Sequence, residues 1–155
     1  LHRVDRRQRQ MCIRDRHEGG RNLSGEAWLR GPVVLSLADV QLSGQRDGYN
    51  VVIHELAHTL DMRHDGANGA PPLHHGMSPA DWKRDMSAAW DDLGRRAAAG
   101  EKLPIDAYAL EAPAEFFAVL SETFFERPVM LQHTWPEVYQ HLADFYRQNP
   151  LTSDG

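Results

Sequence analysis

The chain has 155 residues, a one-domain length with room for a core of helices and a small sheet. Its formal net charge of −5 speaks against a general nucleic-acid-binding role, which needs a basic surface, and no apolar run approaches the ~20 residues of a membrane span. The one cysteine, Cys12, leaves no internal disulfide, fits a reducing compartment such as the cytoplasm, and means that any metal site is built from histidine and carboxylate.

The first 16 residues differ from the rest. Six arginines against two aspartates give them a net charge of +4 and leave −9 for the remainder. A functional reading makes them a basic arm for a membrane or a nucleic acid. The plainer reading, preferred here for residues 1–20, is a disordered tail or sequence foreign to the domain. No apolar stretch there resembles a signal peptide, and a start at Leu1 is expected of a fragment.

The domain is expected over residues 21–150. Glu26-Ala27-Trp28-Leu29, the Gly31-Pro32 turn signal and Val33-Val34-Leu35-Ser36-Leu37 predict one or two short strands. A strand just ahead of a metal-binding helix offers an edge on which an extended peptide could add as a further strand. A loop over residues 43–48 leads into the stretch that carries the chemistry, Asn50-Val51-Val52-Ile53-His54-Glu55-Leu56-Ala57-His58-Thr59-Leu60-Asp61. As a helix, this stretch sets His54 and His58 one turn apart on one face, able to close on one ion, with Glu55 beside them. The pattern is H-E-x-x-H, in which two neutral imidazoles hold a divalent metal and the glutamate takes a proton from water. Val52, Leu56 and Leu60 recur at helical spacing as an apolar face to bury, and Asn50 is a fitting N-cap. An ordinary amphipathic helix with two polar-face histidines would read the same way, so the rest of the chain decides.

Turn residues from His64 to Pro72 stop that helix. Ser78-Pro79-Ala80-Asp81 opens the next, and Trp82, Met86, Ala89, Trp90 and Leu93 form its buried stripe, with Gly94 and Gly100 bracketing its end. Residues 101–110 predict a connection, kept from being helical by Pro104. Pro113 opens a third helix that stops before Pro128. Glu115, Val119 and Glu122 share one of its faces, and carboxylates among so many apolar residues call for a metal or a firm hydrogen-bond partner. Thr134-Trp135-Pro136-Glu137 reads as another cap, ahead of an amphipathic last helix carrying Val138, Leu142, Phe145 and Tyr146.

A catalytic zinc with two histidines needs a third protein ligand and an open fourth position. His64 lies at the spacing of the extended motif H-E-x-x-H-x-x-G-x-x-H, but Asp61 stands where that motif has the glycine of its sharp turn. The other candidate is a carboxylate from the third helix, foremost Glu115, which chemistry alone does not separate from Glu111 or Glu122. His74 and His75, in a Pro/Gly-rich loop, read as surface residues.

Together the two motifs carry a resemblance. His54-Glu55-Leu56-Ala57-His58-Thr59-Leu60-Asp61 with Ala114-Glu115-Phe116-Phe117-Ala118-Val119-Leu120-Ser121-Glu122-Thr123-Phe124-Phe125, preceded by Glu26-Ala27-Trp28 and Gly31-Pro32-Val33-Val34-Leu35-Ser36, resembles the Mlc titration factor A family of bacterial zinc metallopeptidases. That family is similar in its catalytic core to the peptidase domain of anthrax lethal factor. The resemblance runs from about Arg21 to about Pro150, leaves out residues 1–16, and implies a truncated chain, because members extend further at the N-terminus. It implies Zn2+ held by His54, His58 and Glu115, the glutamate before the paired phenylalanines, and an active-site tyrosine at Tyr108. A phenol there could donate a hydrogen bond to an oxyanion, whereas the residues alone give Tyr108 as a half-buried loop tyrosine.

The fold expected is α+β: a mainly helical, zincin-like core of about four helices with a small N-terminal sheet, the first and third helices facing each other across the metal. The function expected is hydrolysis of peptide bonds in a peptide or protein substrate, with Glu55 as general base and the zinc and Tyr108 at the oxyanion. The alternative, implied by the family's name, is a regulatory protein that sequesters a transcriptional repressor and has no need of Glu55. A structural zinc fits least, since such sites are closed and commonly use cysteine. Neither a nucleic acid nor a membrane is expected as a partner.

Overall fold

Short capping signals place the first elements. In the computed structural model, which describes residues 25–27, 33–63 and 66–152, strands β1 (Gly25–Ala27) and β2 (Val33–Leu35) pair antiparallel with Glu26 opposite Val34. Beyond this pair of three-residue strands the expected N-terminal sheet is not supported, and the described residues are mainly helical. Ser36 caps α1 (Leu37–Leu42), and Asn50 caps α2 (Val51–Asp61), its Oδ1 accepting the Ile53 N–H at 3.2 Å. Both strands lie against α2.

Prolines start the remaining helices, since their fixed φ suits a first turn and their missing N–H would have no partner there. These are α3 (Pro79–Ala98), α4 (Pro113–Glu126), α5 (Pro128–Thr134) and α6 (Pro136–Tyr146), with a 3-10 turn over Ala107–Leu110 leading into α4. The stripe predicted for α3 is where it was expected: Trp82, Met86, Ala89 and Leu93 are buried, and Trp90 sets its ring edge-on to Phe116, centroids 5.3 Å apart. Helix α4 is the centre of the core. Every residue from Ala114 to Phe124 is buried, and Phe117 and Phe124 pack against Phe145 and Tyr146 of α6. None of the described helices is long and apolar enough to cross a membrane.

Two features depart from the sequence reading. Helices α1 and α5 are additional to the four expected; both are under two turns, too short for a periodic apolar pattern to show. Thr134 does not cap α6. It is the last residue of α5, and its hydroxyl donates to the Met130 carbonyl at 2.9 Å, leaving Trp135 as an N-cap without a side-chain bond.

Candidate metal centre

Helix α2 is turned the opposite way from the amphipathic expectation. His54, Glu55, His58 and Asp61 are buried, whereas Leu56 is 50% exposed and Val52 and Leu60 are only half-buried. Burying ionisable side chains on one short helix needs partners, and α4 supplies them for the two histidines. Glu115, in the first turn of α4 and itself buried, sets Oε2 3.1 Å from His54 Nε2 and 3.4 Å from His58 Nε2. The two Nε2 atoms are 3.1 Å from each other.

These three donors close a triangle of nearly equal edges. A tetrahedral zinc with bonds of about 2.0–2.1 Å separates its ligand atoms by about 3.3 Å, so the triangle matches one face of that tetrahedron. The donor chemistry agrees. Glu122 of α4 takes the other side of the His54 ring, Oε1 to Nδ1 at 2.7 Å, so the proton belongs on Nδ1 and the Nε2 lone pair faces His58. Two imidazole nitrogens this close require a proton or a cation between them. Burial works to raise the Glu115 carboxyl, but hydrogen bonds and charge from the His54 and His58 rings, where these carry protons toward it, outweigh burial and lower it; a cation among the three atoms would take the place of those protons. His54, His58 and Glu115 could hold a metal ion.

A family described as Glucose-regulated metallo-peptidase M90 matches residues 3–147. The chain belongs to that family. It is 46% identical over 138 residues to Mlc titration factor A of Yersinia pestis (strain Pestoides F), and equally to that of Yersinia pseudotuberculosis serotype O:3 (strain YPIII). The match takes in 87% of this chain and 51% of each relative, so the chain spans about half the length of the curated relatives it matches. The matched range begins at residue 3 and so reaches further toward the N-terminus than the resemblance read from Arg21 onward.

Glu55 follows His54 in α2 and is fully buried. Tyr108, half-buried in the 3-10 turn, has its ring centroid 6.3 Å from that of His54. Glu111 is exposed. His64 lies outside the described residues; Asp61, standing where its motif has glycine, is the last residue of α2, and Met62 after it is right-handed. The Asp61 carboxylate is instead buried, with Oδ2 accepting the Gly69 N–H at 2.7 Å; burial raises its pKa against the lowering effect of that bond and of His58. His74, read as a surface residue, is half-buried. It stacks on Phe145 and shares a 2.7 Å hydrogen bond with the Phe145 carbonyl oxygen, tying its loop to α6, while His75 is exposed.

Glu126 has no role in the sequence reading, where Glu122 stands as a candidate ligand or as a carboxylate that needs a firm hydrogen-bond partner. In the fold, Glu122 Oε2 accepts the Asn50 N–H at 2.6 Å, and Glu126 accepts from Asn50 Nδ2 at 2.9 Å and from the Arg46 N–H at 2.6 Å. Their spacing of seven and eleven residues from Glu115 keeps all three carboxylates on one face of α4, which is the signal that could have found them.

Proposed function

We propose that the chain is the catalytic part of a zinc metallopeptidase that hydrolyses peptide bonds. The observation that carries this reading is the buried triangle of His54 Nε2, His58 Nε2 and Glu115 Oε2, with edges of 3.1, 3.1 and 3.4 Å. Membership in a metallo-peptidase family supports it. The three residues would hold the ion and leave a fourth position open, as catalytic rather than structural sites do. Bound zinc acts as a Lewis acid, bringing the pKa of water down to about 7 and polarising a carbonyl.

The rest is the work of this chain's own groups. Glu55, buried one residue from a ligand, accepts a proton from the attacking water and returns it to the departing amine. Tyr108 donates a hydrogen bond to the oxyanion that develops on the scissile carbonyl. An extended peptide would lie along the β1–β2 ladder beside α2 and add to it as a further strand. On this reading residues 21–150 are the catalytic domain and residues 1–20 lie outside it.

Glu55→Gln keeps the shape of the side chain and removes the base. It is expected to retain zinc while hydrolysis of a mixed fluorogenic peptide library falls by at least about 10²-fold, the lower end of general-base contributions. Wild-type turnover in that variant would remove Glu55 from the reaction. A second reading is favoured by the name of the Yersinia relatives, Mlc titration factor A: the chain sequesters a transcriptional repressor in the cytoplasm, with peptidase activity weak or lacking. That role predicts capture of the repressor undiminished by Glu55→Gln, so the one variant separates the two.

A further inference from the structure

We propose that Glu122 is a positioning residue for the metal centre, fixing the tautomer of His54 and tying that choice to the start of α2. The inference rests on the metal reading of His54, His58 and Glu115 and deepens it.

A histidine can present Nε2 to a cation only if its proton sits on Nδ1, and in water the free ring has no strong reason to keep it there. Glu122 supplies the reason. Its Oε1 lies 2.7 Å from His54 Nδ1 with its side chain 1% exposed, and its other oxygen already accepts a backbone N–H, so the carboxylate stands as the acceptor for a proton on Nδ1. The bond also fixes the ring's rotation about its stem, which sets where Nε2 points.

The second oxygen explains why the carboxylate stays where it is. Oε2 accepts the Asn50 backbone N–H at 2.6 Å, and Asn50 is the N-cap of α2, one turn before His54. One side chain of α4 thus grips both the first backbone group of the metal helix and the first metal-binding ring on it. Glu126, one turn further along α4, holds the Asn50 side chain and the Arg46 N–H, where the chain turns through a left-handed residue (φ 57°). The hydrogen bonds run unbroken from Arg46 through Glu126, Asn50 and Glu122 to His54. Only Glu122 in this series touches an imidazole, so only Glu122 is expected to act on the ion.

The two functions of Glu122 separate by substitution. Alanine removes both acceptors. Glutamine keeps one carbonyl oxygen but turns an NH2 toward one of the two donors, so it serves His54 or Asn50 and not both. Glu126→Gln loses a charge and a backbone contact on the same helix without reaching a ring, and is the structural control.

The experiment is zinc affinity by competition with a chromogenic chelator, on the chain as it stands and on Glu122→Ala, Glu122→Gln, Glu126→Gln and Glu115→Ala, with circular dichroism to check folding. It is joined by 15N NMR of the His54 ring in metal-free protein. Expected are a 10–100-fold loss of affinity for Glu122→Ala, a smaller loss for Glu122→Gln, and no more than about a twofold change for Glu126→Gln. The His54 proton should reside on Nδ1 in wild type and be divided between the two nitrogens in whichever Glu122 variant folds. Wild-type affinity in both Glu122 variants, or a proton on Nε2 of wild-type His54, would overturn the proposal while leaving the ligand set intact. A wild-type chain that takes up no zinc would overturn the metal reading itself and this inference with it, a result seen apart because it precedes any substitution.

Discussion

Gly69 sits at a left-handed φ of 77°, and a Cβ built there would lie 2.4 Å from the Pro113 carbonyl oxygen and 2.8 Å from its carbon. Neither can retreat cheaply, because both are backbone at the start of α4, two residues before Glu115. The Gly69 N–H in turn is held by Asp61, at the end of α2. One glycine therefore joins the two helices on the far side of the candidate metal site from Asn50. Gly69→Ala combines backbone strain with a steric clash and is expected to destabilise the protein by about 1–3 kcal/mol. It should also weaken zinc binding by displacing Glu115; urea titration and the same chelator competition read the two effects separately. Unchanged stability would mean that residues 66–70 are free to move away from Pro113. At this scale the sequence was legible for His54 and His58, whose spacing a motif fixes; Glu115, which the residues alone do not separate from Glu111 or Glu122, is implied only by the resemblance, and the fold brings it to the two histidines. It was not legible at Asp61, which reads locally as a poor substitute for a glycine. Its partner is eight residues away in a loop of no regular pattern, and only the folded chain brings Gly69 to it.

The helices are locked to one another at their ends by charged groups. Near the end of α3, Asp92 accepts from Arg96 at 2.7 Å and Arg95 at 2.9 Å, and from the Trp135 indole N–H ahead of α6 at 3.0 Å. Partial burial works to raise the Asp92 carboxyl, but the bonds from Arg96 and Trp135 and the two guanidinium charges outweigh it and hold the pKa below the ordinary value. Asp85, lowered chiefly by Arg84 and also bonded to His141 of α6 at 2.8 Å, adds a second such tie. For a carboxyl depressed in the folded state, the contribution is fully present above the unfolded pKa of about 3.9 and fades as pH falls through the folded value. Asp92→Asn should therefore lower the urea midpoint at pH 7 and make less difference at pH 3. A deficit as large at pH 3 as at pH 7 would assign the effect to packing instead. Element boundaries were legible for the same local reason as these ties: prolines 79 and 113 and the caps Asn50 and Ser78 act within one turn. The facing of α2 was not. Its apolar residues Val52, Leu56 and Leu60 recur at helical spacing, yet burial of the opposite face is decided by the carboxylates of α4, more than 60 residues on.

Considered as a whole, the molecule presents its candidate ligands from two helices that only folding brings together, Glu115 following His54 by 61 residues. An unfolded chain has no such triangle, so an ion that binds the three donors binds the folded state alone and stabilises it by mass action. At free zinc 100 times the dissociation constant the gain is about 2.7 kcal/mol, and for a chain of this size each kcal/mol moves the midpoint by about 2–4 °C. The zinc-loaded protein should accordingly melt about 5–10 °C above the chelator-treated one. Glu115→Ala should melt at one temperature with or without zinc, because the two remaining imidazoles lie on a single helix and no longer join α2 to α4. Glu55→Gln should keep the full shift, since a base is not a ligand. Differential scanning calorimetry on the three proteins, with and without zinc, reads all of this in one series. A shift that persists in Glu115→Ala would move the third ligand elsewhere, with His64 the next residue to test, and a shift lost in Glu55→Gln would make Glu55 part of the metal site rather than the base beside it.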